Sequence, residues 1–166
     1  MSTVCIFVYG TLKEGFPNFA LNSGRRVAGV YRTREAFPLY VVKLHNEDRA
    51  PWLMDLPGQG HQVVGQVFEV DATALRTMDT LEEVGLPTGY VRVEVTLDRV
   101  DEPANARMDG PMMAHVYLKP AHQLADCLSR EGPISEYTLA HAEGYYLDME
   151  WPDDVERPGQ PGQASR

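Results

Sequence analysis

Two adjacent carboxylates, Glu82 and Glu83, close an apolar-periodic stretch that begins after Asp71. Advancing about 100° per residue from Leu75 at zero, Met78, Ala74 and Leu81 fall near roughly −60°, −100° and −120° and define one apolar arc. Glu82 lands at about −20°, inside that arc, and Glu83 at about +80°, outside it. The spacing turns Glu82 toward the core or a cleft and Glu83 toward water. A carboxyl withdrawn from water without a partner has its pKa raised, so it can accept and donate a proton near neutral pH. Two structural alternatives stand beside this: a frayed helix end that returns Glu82 to solvent, or an ion pair with Arg92.

A second stretch with chemical potential is Val8-Tyr9-Gly10-Thr11-Leu12. Residues 4–9 are β-branched, aromatic and uninterrupted, the pattern of a strand buried on both faces. The run stops at Gly10, and Gly15, Pro17 and Asn18 keep the next residues irregular. Backbone N–H groups just past a central strand have no ladder partner and must find an acceptor. An anionic or carbonyl-bearing ligand is one solution, an ordinary turn the other. Gly10 and Gly15 coincide with the outer glycines of a phosphate-binding P-loop, but Phe16-Pro17 stands where Lys and Ser/Thr are needed, which excludes a nucleotide there.

Other reactive side chains form no constellation. His45, His61, His115, His122 and His141 are scattered, with neither His-Glu-x-x-His nor Cys-x-x-Cys, so no metal site is expected. No Gly-x-Ser-x-Gly elbow occurs. A couple between Cys5 and a histidine stays open, although a thiol inside a strand is poorly exposed for attack. Tyr9, Tyr90 and Tyr117 lie on or beside strands, where aromatic core is the default role, and Trp52 between prolines is a packing residue or a pocket wall.

Positioning these groups requires a fold of mostly short strands. Beyond 4–9, strands are expected over 27–32, 38–43, 61–70 and 114–118, with at most a short one at 52–54. Val91, Val93, Val95 and Leu97 alternate with Arg92, Glu94, Thr96 and Asp98, a half-buried strand. Phe19-Ala20-Leu21 reads as a helical turn, and Asp71 as the N-cap of a helix running from Ala72 to about Glu83. Helices are also expected over 121–130 and between Pro133 and Tyr146, and a polar loop over 103–111. The sum is an α+β fold, a strongly coiled mixed β-sheet or small β-barrel with few flanking helices. Residues 1–151 are expected to form one domain, and 152–166, rich in Pro, Gly, Gln and Asp, a disordered tail.

Composition narrows the partners. The chain has 166 residues, 43% hydrophobic and 23% charged, which suits one soluble domain with a real core. A net charge of −9, with no basic block beyond Arg25-Arg26, argues against nucleic-acid and anionic-membrane partners. Two cysteines make no disulfide framework, and neither a signal-type segment nor a membrane-spanning run is visible, so a reducing, cytoplasmic setting is expected.

Several landmarks in order carry a resemblance. Val8-Tyr9-Gly10-Thr11-Leu12 continues into Lys13-Glu14-Gly15-Phe16-Pro17-Asn18. Phe37-Pro38-Leu39 and Pro51-Trp52-Leu53-Met54-Asp55-Leu56-Pro57-Gly58 come after it, and then Gly65-Gln66-Val67-Phe68-Glu69-Val70. Leu75, Met78, Asp79 and Glu82 come next, before Tyr90-Val91-Arg92 and Val116-Tyr117. Taken together over residues 4 to about 119, these resemble the γ-glutamylcyclotransferase-like family, nearest its γ-glutamylamine cyclotransferase branch. The segment 84–89 and the chain beyond Lys119 depart from the pattern, and substrate preference or oligomerisation would be set there.

The resemblance implies an enzyme that needs no cofactor and no metal. Its small-molecule γ-glutamyl substrate would close on itself, the α-amine attacking the γ-carbonyl to give 5-oxoproline and a free amine. It implies Glu82 as the catalytic proton carrier, agreeing with the helix periodicity. It also implies Tyr9, Gly10, Thr11, Leu12 and Tyr117 around the substrate, with backbone N–H groups at 10–12 meeting the charge on the glutamyl unit. The rival expectation is a non-catalytic member that keeps the pocket to bind a small metabolite or a protein.

Overall fold

The computed structural model of the protein describes residues 2–102 and 110–148. Most of the expected loop over 103–111, and all of the expected tail over 152–166, lie outside the described residues. Ten strands are described: β1 (Thr3–Val8), β2 (Arg25–Thr33), β3 (Leu39–Lys43), β4 (Glu47–Asp48), β5 (Ala50–Leu53), β6 (Val64–Asp71), β7 (Val91–Arg99), β8 (Met112–Leu118), β9 (Ser129–Ile134) and β10 (Tyr146–Leu147). Two α-helices, α1 (Ala72–Leu81) and α2 (Leu139–Ala142), and 3-10 turns at Phe19–Leu21 and Ala121–Asp126 accompany them.

Five strands close a barrel in the order β1-β6-β2-β7-β8. The pairings are antiparallel except at the seam, where β1 meets β8 in parallel at Ile6 and His115. The unbroken apolar run of β1 is explained by that place. Phe7 points into the barrel with Val67, Leu97 and Val116, while Ile6 and Val8 pack outward with Phe68, Val70 and Met78 beneath α1. Both faces of the strand are covered, as the sequence predicts.

Helix α1 starts where expected: the Asp71 side chain caps it, accepting from the Ala74 N–H at 2.7 Å. It ends in a Schellman turn, the Val84 N–H reaching the Asp79 carbonyl at 3.0 Å and the Glu83 N–H that of Thr80 at 3.1 Å. Glu83 takes the left-handed conformation there, with φ 54°, at a position glycine usually fills. The helix therefore stops at Leu81, and Glu82 is its C-cap, with φ −86° and ψ 5°.

The C-terminal third corrects the sequence reading. In place of a helix over 121–130, a 3-10 turn ends at Asp126 and β9 pairs with β3, from Lys43 opposite Ser129 to Leu39 opposite Ile134. The open edge of β3 offers a full ladder to a segment whose Gly132-Pro133 could not continue a helix, so tertiary pairing overrides local propensity. Only the four residues of α2 are helical between Pro133 and Tyr146. The short pair β4–β10 is an addition to the expected strands, and it brings Tyr146 opposite Asp48 and Leu147 opposite Glu47. A third sheet, β5-β3-β9, packs Val42, Ala50, Trp52 and Met54 against the rest. Among the described residues no helix is long and apolar enough to cross a membrane.

Candidate active site

At the end of β1 the chain turns back on itself. The Lys13 N–H bonds the Gly10 carbonyl at 3.1 Å, the Asn18 N–H bonds that of Thr11 at 2.9 Å, and the Asn18 side chain also reaches the Thr11 hydroxyl at 3.0 Å. The Asn22 side chain takes the Leu12 carbonyl at 3.1 Å. All three carbonyls of 10–12 are thus satisfied within the protein. Among the described residues, no acceptor pairs with the three N–H groups of the same residues. Gly10 is held against Pro51 so closely that an added Cβ would lie 2.3 Å from the proline Cγ. The loop is fixed by a contact that only glycine permits.

This loop forms one wall of a cleft of about 690 Å³. All six residues named from the sequence, Tyr9, Gly10, Thr11, Leu12, Glu82 and Tyr117, line it. Glu82 enters from the C-terminal end of α1. Its carbonyl accepts the Tyr90 N–H at 2.9 Å, so the 84–89 loop leaves and returns to the same residue. Arg92, the alternative partner for Glu82, is bonded instead to both oxygens of Asp79, at 2.8 and 3.2 Å. No donor among the described residues pairs with the Glu82 carboxyl. Burial is the main cause that pushes its pKa up to about 7; the negative charge of Glu47 adds to this and the Lys119 ammonium opposes it. At neutral pH the group exists in both protonation states, the condition for taking a proton and returning it. Glu83 is exposed at the rim. Leu81, assigned to the apolar arc by periodicity, is 43% exposed beside it.

Tyr9 and Tyr117 are buried rings whose hydroxyl hydrogens stay inside the protein. Tyr9 donates to the Tyr117 carbonyl at 2.7 Å, and Tyr117 donates to Asp79 at 2.7 Å. Burial holds both phenols well above their ordinary range, with the Glu82 charge a smaller contribution in each case. Tyr117 thus ties β8 to α1, and Tyr9 ties the end of β1 to β8, while both line the cleft.

Sequence reasoning passed over Glu47, Lys119 and Tyr145. Lys119 is only 6% exposed; its ammonium donates to the Thr88 carbonyl at 2.7 Å and lies 4.3 Å from the Tyr90 ring centre and 4.9 Å from that of Trp52. A lysine directly after the apolar run Val116-Tyr117-Leu118 was the available signal. Glu47 accepts the Tyr145 hydroxyl at 2.9 Å, and the Asn18 amide reaches that hydroxyl at 3.0 Å. Nothing in the stretch Asn46-Glu47-Asp48 gives this away, because its partner Tyr145 lies 98 residues further on. Among the described residues no group of three or more His, Cys, Asp or Glu could hold a metal ion.

Comparisons with known proteins fit this geometry. The chain is 46% identical over 92 residues to gamma-glutamylaminecyclotransferase of Rattus norvegicus, a match covering 52% of this chain; the chain spans 58% of that protein's length. It is 36% identical over 111 residues to the Homo sapiens protein of the same name, covering 64% of this chain and 69% of that one. The crystal structure of an AIG2-like protein from Mus musculus superposes with a TM-score of 0.68 at 30% identity, over 93% of this chain and all of that one. The family model described as gamma-glutamyl cyclotransferase, AIG2-like, matches residues 6–145, well past the 119 to which the sequence landmarks extend. Since that stretch runs from β1 through Glu82 and Lys119 to Tyr145, the chain belongs to the gamma-glutamyl cyclotransferase, AIG2-like family.

Proposed function

We propose that this protein converts γ-glutamyl amines into 5-oxoproline and a free amine. The observation that carries the reading is the Glu82 carboxyl, its pKa pushed up to about 7 by burial, in one cleft with the three N–H groups of 10–12, none of these groups having a hydrogen-bond partner among the described residues. The glutamyl unit lies with its charged and carbonyl oxygens toward those amides. Glu82 takes a proton from the α-ammonium, and the freed α-amine attacks the γ-carbonyl carbon, forming the new C–N bond of the five-membered ring. Negative charge moves to the carbonyl oxygen and is met by backbone N–H groups. As the old C–N bond breaks, Glu82 returns that proton to the departing amine, and the second proton that the attack leaves on the ring nitrogen passes through the same carboxylate to the released amine, which departs as an ammonium. Neither water nor an oxidant is consumed. Ring closure within one molecule leaves the enzyme chiefly to hold the chain folded, and a tight loop fixed by Gly10 against Pro51 suits that task.

The whole catalytic unit is taken as one domain over 1–151, because the cleft draws residues from Phe7 to Leu147. A cytoplasmic setting accords with two unpaired cysteines, Cys5 and Cys127, and a net charge of −9 accords with a small-molecule partner in preference to nucleic acid or a membrane surface. A panel of γ-glutamyl amides, among them γ-glutamyl-ε-lysine, a γ-glutamyl polyamine and γ-glutamyl amino acids, tests the reading by product. Release of 5-oxoproline with the matching amine is expected from at least one. Glutamate in its place would mean hydrolysis, and no product from any would leave a binding protein.

A further inference from the structure

Of the four carboxylates that line this cleft Glu83 and Asp126 are exposed and Glu47 and Glu82 are not; one ammonium, Lys119, lines it with them, and proton transfer by Glu82 makes no direct use of that ammonium. Lys119 is almost wholly buried, tied to the Thr88 carbonyl at 2.7 Å and lying against the Tyr90 ring. Tyr90 in turn gives its N–H to the Glu82 carbonyl at 2.9 Å. The lysine therefore grips the returning end of the 84–89 loop, which is anchored on Glu82. That return is sterically closed: an added Cβ at Gly89 would sit 1.8 Å from the Glu83 carbonyl oxygen, and the Gln123 amide holds the Gly89 carbonyl at 2.9 Å. A buried cation in such a cage has little freedom to follow a substrate, but it stands as fixed charge among four acids, with Glu82 and Glu47 acting on it most strongly.

We propose that Lys119 is a positioning residue of this site, its caged ammonium being the counter-charge that keeps Glu82 able to ionise next to Glu47. Two carboxylates confined in one cleft cannot both ionise cheaply, and an opposite charge nearby restores the ionised form. The charged and titratable groups around Glu82 are few. Glu47 faces it from β4, Lys119 from the end of β8, Glu83 from the adjoining turn, and Tyr9, Tyr90 and Tyr117 from the floor; Tyr145 bonds Glu47, Asp126 faces Lys119 from the 3-10 turn, and His45 lies on the cleft wall. Asp79 is engaged with Arg92 and Tyr117. Lys119 is the positive side chain that lines the cleft among the described residues.

The test tracks the Glu82 carboxyl carbon by 13C NMR through a pH titration, the resonance being assigned by its loss in Glu82→Gln. This readout is independent of any substrate. Lys119→Met should move the titration midpoint upward by about one pH unit or more, Lys119→Arg should leave it near the wild-type value, and Glu47→Gln should move it down. The second readout rests on the cyclotransferase reading: the acid limb of kcat/KM should shift with the NMR midpoint, about tenfold in rate for each pH unit below it. An unmoved midpoint in Lys119→Met, or shifts of the same sign in Lys119→Met and Glu47→Gln, would overturn the proposal. If Lys119→Met does not fold, an unmoved or raised midpoint in Glu47→Gln overturns it alone. Correct NMR shifts with no 5-oxoproline from the wild type would refute the reaction and leave the charge relationship standing.

Discussion

Tyr145 gives its hydroxyl hydrogen to Glu47 at 2.9 Å, joining the last described segment of the chain to β4. The Asn18 amide meets the same hydroxyl at 3.0 Å and the Thr11 hydroxyl at 3.0 Å, so a continuous polar chain runs from Glu47 to the 10–12 loop. Burial raises the Glu47 pKa, and the Tyr145 hydroxyl works against that by bonding the ionised form. Removing the hydroxyl in Tyr145→Phe should loosen the loop while the Glu82 carboxyl keeps its place. A bond to a charged group contributes about 1.5–3 kcal/mol, of which only part acts on the loop, so KM should rise about threefold to tenfold and kcat should change less than about twofold. Steady-state kinetics on a turned-over γ-glutamyl amine decide it; a fall confined to kcat would contradict the assignment.

The two neighbouring acids make an internal control. The Glu82 carboxyl has no hydrogen-bond partner among the described residues, whereas Glu83 is exposed at the rim of the cleft, in a left-handed turn whose backbone, not its carboxyl, caps the helix. Glu82→Gln should keep the far-UV CD spectrum and lose about two to four decades of turnover, the cost of a missing proton carrier. Glu83→Gln should stay within about threefold of wild type. In the wild type the acid limb of kcat/KM should fall near pH 7, because only the ionised carboxyl accepts the α-ammonium proton.

The same raised pKa makes a statement about stability. Glu82 ionises with a pKa near 4.5 in the unfolded chain and about 7 in the fold, so the folded state holds the extra proton between those values. Stability from this group is therefore fully present below pH 4.5 and is lost as pH rises toward 7, by on the order of 1–3 kcal/mol. Glu82→Gln, which cannot ionise, should raise Tm relative to wild type at pH 8 and do so less at pH 5. Thermal unfolding at the two pH values measures the difference, and an equal effect at both would contradict the desolvated position of the carboxyl.

Gly10 offers a test of the loop's fit. Gly10→Ala drives a methyl to within 2.3 Å of the Pro51 ring, so strand β5 or the loop must move. Overpacking of this kind costs about 1–3 kcal/mol, or roughly 2–12 °C of Tm in a chain of this size, and KM should rise with it. Gly15, in the same loop with φ 84° and open space around it, supplies the comparison: Gly15→Ala meets no atom within 4 Å, so it should cost only the conformational strain, about 1 kcal/mol, and leave KM unchanged.

What sequence reasoning reached and missed divides along the range of the interactions involved. Strand β1, the Asp71 cap and the inward turn of Glu82 are local facts of periodicity and capping, and they are found where expected. The direction of Glu82 survives even though α1 ends at Leu81, about two residues before the expected Glu83, because a C-cap at φ −86°, ψ 5° still lies near the helical path. Lys119 and Glu47 acquire meaning only from partners 31 and 98 residues away. The error over 121–130 has the same origin, since the edge of β3 that captures β9 is invisible from within the segment itself.

The amides of 10–12 are the substrate's seat in the proposed reaction, and they can be tested directly. The carbonyls of 10–12 are satisfied internally, and among the described residues no acceptor pairs with their N–H groups, so the loop presents three donors. The product of the proposed reaction, 5-oxoproline, carries a carboxylate and a ring carbonyl, both acceptors of the right kind. It should bind weakly, because it lacks the leaving amine and with it the contacts on the far side of the cleft. Titrating 15N-labelled protein with 5-oxoproline should move the amide resonances of Gly10, Thr11 and Leu12 together, with one dissociation constant, while amides on the opposite side of the barrel stay put. The shifts should persist in Glu82→Gln, since in the proposed reaction the acid handles the proton and the amides hold the oxygens. Amides at 10–12 that ignore a saturating concentration would leave the loop without its assigned ligand.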